Sequence, residues 1–433
     1  MTYSGSRGIG VAGRLRQLSG AALGLLHSAG WVVADQAFVS ATNFLGMVIA
    51  ARTLTTGDFG AYALAYTGIW ALNGFQSSLI TQPHSVLASH TDTAAYRRYT
   101  SATALMQVGL SGILGLPLLI AGLLAQATGA GPSLLAVGAA VIAWQAQEFL
   151  RRVLFFEGRR SGVFALDVIS FGGQLAVIIA LASTGRFSVT SGLLAAAATS
   201  GLAAMVGVVL LRSTLFHSPM LGAIGRNVAH GRWLLGAEVG AFISSSSYPF
   251  LLAATTGAEA VAVYSAAMLV LNPLNIIWFA VGTALPIHLS RARQRLGERA
   301  SRRELGQAYR LSVPIVGLYC LAAAFLGGPV LGLVFGPAYA DFGWVVAIAA
   351  AIRVLGYHSH LLSVGLRVHH QTRSIFTGYV IAMPFSLIVG TMLTVAYGIA
   401  GALAALFGAH LIWTIVWARA YGPDDDDQPE TSS

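Results

Sequence analysis

Two acids and one arginine stand where a chain tolerates charge least. Asp35 and Glu238 each lie about one turn inside a long apolar run, and Arg353 lies well inside another, 345–362. An ionised group at the centre of a membrane span costs about 2.5–3.5 kcal/mol or more, so such groups normally face a cavity or a partner. An acid there suits a proton or cation site, and equally a protonated carboxyl bonding a neighbouring helix. Arg353 is followed by Tyr357, His358 and His360. An arginine with imidazoles facing a cavity suits an anion such as a phosphate, which a guanidinium binds bidentately; pairing with an acid to lock two helices is the other use. His358 and His360 are two apart and do not share a helix face, which argues against a metal site.

The elements that must position these residues are membrane helices. Hydrophobic residues make up 56% of the chain and charged residues only 9%, which excludes an ordinary soluble core. Apolar runs fall at 31–51, 61–81, 100–125, 134–155, 163–183, 189–211, 233–255, 261–286, 309–335, 341–362, 375–396 and 399–421. The expected fold is an all-α polytopic membrane protein of about 12 transmembrane helices.

A formal charge of +9 would fit a nucleic-acid binder if the cations formed one face. All 25 basic residues are arginines, and they cluster on alternate loops. The N-terminus and the loops after even-numbered runs hold nearly all of them, including the stretch from Arg291 to Arg310, whereas the opposite loops hold Arg52 and Arg186. This is the positive-inside pattern: both termini are expected in the cytoplasm, and nucleic acid is not an expected partner.

The chain is also built twice. Trp31-Val-Val-Ala-Asp35-Gln36 returns as Trp233-Leu-Leu-Gly-Ala-Glu238, and Thr55-Thr56-Gly57 returns as Thr255-Thr256-Gly257. Tyr62 meets Tyr264 and Leu72-Asn73 meets Leu274-Asn275 at the offset of 202, while Arg160-Ser161 meets Arg373-Ser374 at 213. The copies are six runs apart, so the expected arrangement is two six-helix lobes of like orientation, related by a pseudo-two-fold axis along the membrane normal. The expected division is a cytoplasmic leader over 1–30, a first lobe over 31–211, a linker over 212–232, a second lobe over 233–421 and a disordered acidic tail over 422–433. Leu15, Leu18, Leu25 and Leu26 beside Arg14 and Arg16 fit either a short interfacial helix or a frayed leader.

Other polar residues inside the runs have simpler readings. Glu148 and Arg152 are one turn apart and are expected to pair, leaving Arg151 to point toward lipid headgroups or a cavity mouth. Ser244 to Pro249, Asn272-Pro273-Leu274-Asn275, Pro117, Pro314 and Pro384 are expected to bend or break their helices, because proline removes an amide donor and frees a carbonyl. Gly8-Ile9-Gly10-Val11-Ala12-Gly13 fits G-x-G-x-x-G, but no strand precedes it. No triad, phosphate loop or metal cluster is present, and the single Cys320 permits no internal disulfide. The chain reads as a transporter rather than an enzyme, needing no cofactor beyond an H+ or Na+ gradient.

The loop Ala51-Arg52-Thr53-Leu54-Thr55-Thr56-Gly57-Asp58-Phe59-Gly60-Ala61-Tyr62 resembles the A-R-x-L-x-x-x-x-F-G-x-Y turn of polysaccharide flippases in the multidrug/oligosaccharidyl-lipid/polysaccharide (MOP) exporter superfamily, the O-antigen flippase-like (Wzx-type) branch. Thr256 to Tyr264 and Phe335-Gly336-Pro337-Ala338-Tyr339 are similar to later turns of that family. The resemblance implies a V-shaped pair of lobes in the bacterial inner membrane. Its implied cargo is an undecaprenyl-diphosphate-linked oligosaccharide for cell-surface polysaccharide, moved by alternating access through a cationic cavity. It further implies a polysaccharide polymerase and chain-length machinery as partners beside membrane lipids. On that reading Arg353, Arg52, His358 and His360 serve the substrate, and Asp35 and Glu238 couple the ion. The alternative is a cation-coupled multidrug exporter of the same superfamily, for which acids in the first and seventh spans would be the coupling sites.

Overall fold

The computed structural model describes residues 34–88 and 92–422. The interfacial-helix expectation, the glycine motif of the leader and the acidic tail beyond Gly422 lie outside the described residues. Within the described residues the long apolar runs lie in helix, with 261–286 interrupted near its middle. The major segments are α1 (34–53), α2 (Thr56–Gln76), α3 (Thr93–Leu124), α4 (Gly131–Phe156), α5 (Arg160–Asp167), α6 (Gly173–Ser183), α7 (Val189–Leu210), α8 (Gly222–Ala241), α9 (Tyr248–Thr255), α10 (Ala258–Val270), α11 (Leu274–Leu296), α12 (Glu298–Phe335), α13 (Gly343–Val368), α14 (Thr372–Phe385) and α15 (Thr391–Ala420). Helix starts follow local chemistry: the Thr55 side chain accepts from the Asp58 amide, Asp92 accepts from Ala95, and Ser188 forms a capping box with Ser191, each satisfying an amide with no partner inside the helix.

Among the described residues, seven helices are long and apolar enough to cross a membrane, or eight if α10 and α11, bent by 60°, form one broken span. Two physical features bring the count below the twelve apolar runs, beside the α10–α11 break. Residues 373–420 form one helical run of 48 residues, broken only in backbone angle at Gly398 (φ 55°, ψ −128°). The segments α2 and α8 carry Asp58 and Asn73, then His230, Arg232 and Glu238, which lowers their mean hydropathy. Apolar side chains on α3 and α12 point outward, Ile113 at 72% and Phe325 at 78% exposure, as a lipid-facing surface requires.

The expected breaks are realised unevenly. Asn272 and Pro273 separate α10 from α11, and the Tyr319 hydroxyl donates to the Val270 carbonyl left beside the break (2.6 Å). Phe242–Ser246 is a wide π turn before Pro249, and Ser386–Gly390 is another just after Pro384. Pro117 and Pro314 instead lie inside continuous helices, where the rest of a long span holds the helix through one missing bond. The helices that follow the two Thr-Thr-Gly turns meet at their first turns: a Cβ on Gly60 would come within 1.8 Å of the Ala258 carbonyl oxygen, so the backbones of α2 and α10 touch there.

Candidate functional site

A cavity of about 830 Å³ lies among α1, α2, α9, α10, α13 and α15. On α1 it takes the stripe Gln36, Ser40, Asn43, Phe44 and Met47, and on α2 Ala63, Tyr66, Thr67 and Trp70, spacings that put each set on one helix face. The second half contributes Ser245, Ser246 and Pro249 from the π turn, Asn272, Pro273 and Asn275 from the break, Arg353, and His410. Proline and π turn thus supply the cavity wall as well as the bends. Because α1 lines it from Met47 back to Gln36 in its first described turn, the cavity extends toward the arginine-rich end.

The opposite end is closed. Arg52 donates through Nε to the Val334 carbonyl (2.8 Å) and through its other nitrogen to that of Leu333. Phe44 meets Phe335 edge-on at 6.3 Å, and Phe59 meets buried Tyr339 edge-on at 6.2 Å. Arg52 therefore ties the end of α1 to the end of α12 and does not line the cavity.

Arg353 does line it. No acid pairs with it among the described residues, and the Trp278 ring lies 6.0 Å from the guanidinium carbon. Among the cavity-lining residues it is the one permanent charge, and none is Asp or Glu. His358 and His360, further along α13, do not reach the cavity wall. The Tyr309 hydroxyl donates to the His358 carbonyl (3.1 Å), and the His360 ring packs on Trp278 at 5.7 Å. The histidine that reaches the cavity is His410, whose Nδ1 is 2.9 Å from the Leu406 carbonyl and whose ring lies 4.7 Å from that of Trp413. It escaped the sequence reading although its signal, one imidazole in the apolar run 399–421, is of the kind that singled out Arg353.

Asp35 and Glu238 stand outside the cavity wall, in unlike surroundings. Arg151 reaches Asp35 (2.7 Å), Asp167 (2.8 Å) and Glu148 (3.6 Å), while Arg152 takes Glu148 (2.6 Å) as the one-turn spacing predicted. The expectation that Arg151 points toward headgroups or a cavity mouth is therefore corrected. Three carboxylates converge on it, and its side chain is 12% exposed. The missing signal was Asp167, which lies in a different apolar run and meets Arg151 only because α4 and α5 form a tight hairpin. The cluster thus sets three carboxyl groups against two guanidiniums. Glu238 makes no hydrogen bond or ion pair among the described residues; its carboxylate lies against Gly74, where a Cβ would come within 2.3 Å of Oε1. A glutamine cluster also joins helices of the first half: Gln76 donates to Gln107 Oε1 (2.8 Å) and to the Gln145 carbonyl (2.6 Å).

No family model and no curated protein matches the chain. Solved structures do. An inward-facing multidrug resistance MATE family transporter of the MOP superfamily superposes with a TM-score of 0.72 at 13% identity, covering 90% of this chain and 98% of its own. The lipid II flippase MurJ in an inward closed conformation gives 0.73 at 12%, covering 90% and 86%. A MOP superfamily transporter from Pyrococcus furiosus, described by the reverse polarity of its binding pocket, gives 0.59 at 14%, covering 90% and 93%. Structures named as MATE are the more numerous of those matched. At these identities the likeness is one of fold: an all-α membrane bundle of the kind seen in MOP-superfamily transporters.

Proposed function

We propose that this chain is a secondary transporter with twelve crossings in two six-helix halves, moving an anionic amphiphile across the bacterial inner membrane by alternating access. The substrate we favour is a lipid-linked oligosaccharide whose pyrophosphate is met by Arg353. One observation carries this reading: among the described residues the cavity wall holds a single arginine that no acid neutralises, and no carboxylate. A cationic drug would find no counter-charge there. Uncharged polar groups such as Asn43, Asn272, Asn275, Ser245 and Ser246 suit sugar hydroxyls. The arginine-rich end is read as cytoplasmic, so the cavity reaches inward and the Arg52 seal faces outward. Protons act at the Asp35, Glu148 and Asp167 cluster, where proton exchange alters the hold of α4 on α1; Glu238 is the second-half candidate. The chain would deliver its cargo to a polysaccharide polymerase and its chain-length machinery.

The second reading is multidrug export, favoured by the aromatic side chains Tyr66, Trp70 and Tyr264 in the wall and by the many MATE structures of like fold. Cells producing the Arg353→Ala variant separate the two. The flippase reading expects surface polymer to vanish with the protein still in the membrane and drug tolerance unchanged. Normal polymer with lost tolerance would establish the second reading instead.

A further inference from the structure

Arg353 shares the cavity wall with an imidazole to which no task has yet fallen. His410 lines the cavity from α15, and its Nδ1 lies 2.9 Å from the Leu406 carbonyl. A carbonyl can only accept, so Nδ1 carries the hydrogen and donates it. In a neutral imidazole the other nitrogen is then an acceptor with a free lone pair. That atom, Nε2, makes no hydrogen bond among the described residues, and no carboxylate among the described lining residues stands by to hold a proton on it.

The ring is held in place. Trp413 lies against it at 4.7 Å. The Thr414 hydroxyl donates to the His410 carbonyl (2.8 Å) and meets the hydroxyl of buried Ser359 at 2.7 Å, which fixes α15 against α13. On α13 the imidazole edge takes the place of a missing side chain: a Cβ on Gly356 would stand 2.9 Å from Cδ2, 3.1 Å from Nε2 and 3.8 Å from the Trp278 ring. Gly356 follows Arg353 by three residues, on the same helix face and about 4.5 Å along the axis. The wall therefore presents, about one turn apart, a permanent cation and an unused acceptor. The two demand different chemistry. An ionised pyrophosphate has no hydrogen to give Nε2, whereas a hydroxyl or an acylamino N–H has one.

We propose that His410 is a specificity-determining residue: with Arg353 on the pyrophosphate, its Nε2 accepts a hydrogen bond from a hydroxyl or acylamino group of the sugar joined directly to that pyrophosphate. This rests on the anionic, lipid-linked substrate proposed above. The first sugar is the part of such a molecule that brings donors within a helical turn of the charge, since the prenyl chain has none. The test measures binding to full-length protein in nanodiscs of a short-chain prenyl diphosphate, of the matching prenyl diphospho-glucose and of each monodeoxy analogue of that glucose. At least one deoxy analogue should bind about tenfold or more weaker than its parent, because it leaves a desolvated acceptor unpaired. In His410→Phe, which keeps a ring without the acceptor, parent and analogues should bind alike. In Gly356→Ala, which retains His410 but crowds its ring, the difference should shrink. The sugar-free diphosphate should bind H410F and the unsubstituted protein equally. Analogues all bound as tightly as the parent, or a difference that either substitution leaves undiminished, overturn the proposal. So does loss of the sugar-free diphosphate in H410F, which would assign the imidazole to the phosphate. Failure of the anionic-substrate reading looks different: R353M would then bind the sugar-free diphosphate as well as the unsubstituted protein does, and the role of His410 would fall with it.

Discussion

Replacing Arg353 by methionine removes the cavity's one permanent charge while keeping most of the side-chain length. An arginine and a phosphate 4 Å apart at an effective dielectric of 20 attract by about 4 kcal/mol. At 1.4 kcal/mol per decade this is about a thousandfold in affinity for a pyrophosphate-bearing lipid. The effect on folding has the opposite sign from that of a structural ion pair. Arg353 has no acid among the described residues, so methionine leaves no carboxylate stranded and removes the cost of holding an unpaired cation. The melting temperature in detergent should hold or rise. Arg151→Met is the control, because it strands Asp35, Asp167 and one contact of Glu148, and breaking such a buried set costs about 3–5 kcal/mol. The assay pairs thermal unfolding with binding of a polyprenyl pyrophosphate to purified protein. If R353M unfolds as early as R151M and binds the lipid normally, Arg353 is a helix lock and the substrate argument fails.

Further outcomes follow from the same geometry. Asp35→Asn removes one carboxyl group from its cluster and should leave transport insensitive to an imposed proton gradient while substrate binding persists; gradient-dependent uptake at the unaltered rate in inverted vesicles would remove Asp35 from coupling. Gly60→Val drives side-chain atoms into the Ala258 carbonyl, 1.8 Å from an added Cβ, so the sealed end should open. A cysteine at Thr56 would then label from that side faster than in the unsubstituted protein, and equal labelling would contradict the seal. At the end of α13, His369 has its pKa lowered from 6.5 by burial first, with Arg293 and Arg302 adding to the shift and Glu298 opposing it. Its neutral form is thus favoured in the fold, so its contribution is present above pH 6.5 and is lost as pH falls from there through the lowered value. His369→Gln should flatten the acid side of a melting-temperature profile, and an unchanged profile would rule the group out.

How far the sequence carried varies from residue to residue. Hydropathy located the helices because each apolar run must bury or face lipid along its whole length, a local property. Glu148 and Arg152 were legible as a pair because a one-turn spacing is itself a contact. Arg353 was legible as a cavity residue because a charge in a span has few places to go. His410 carried the same signal more faintly. Arg52 was assigned to substrate by resemblance, and the fold instead puts it on the carbonyls of Leu333 and Val334, 281 and 282 residues away. Such a contact has no trace in local spacing.

From the sequence alone come the membrane character, the helical runs and the clustering of arginines on alternate loops, since each depends on composition or on residues close along the chain. Only the tertiary structure decided which charges are spent on one another and which are left for a ligand. Asp35 and Glu238 occupy corresponding places in the repeat, yet one is gripped by Arg151 and the other rests on Gly74. The physical reason is that an ionic group's role is set by what lies within about 4 Å of it, and in a helical bundle those neighbours come from other helices.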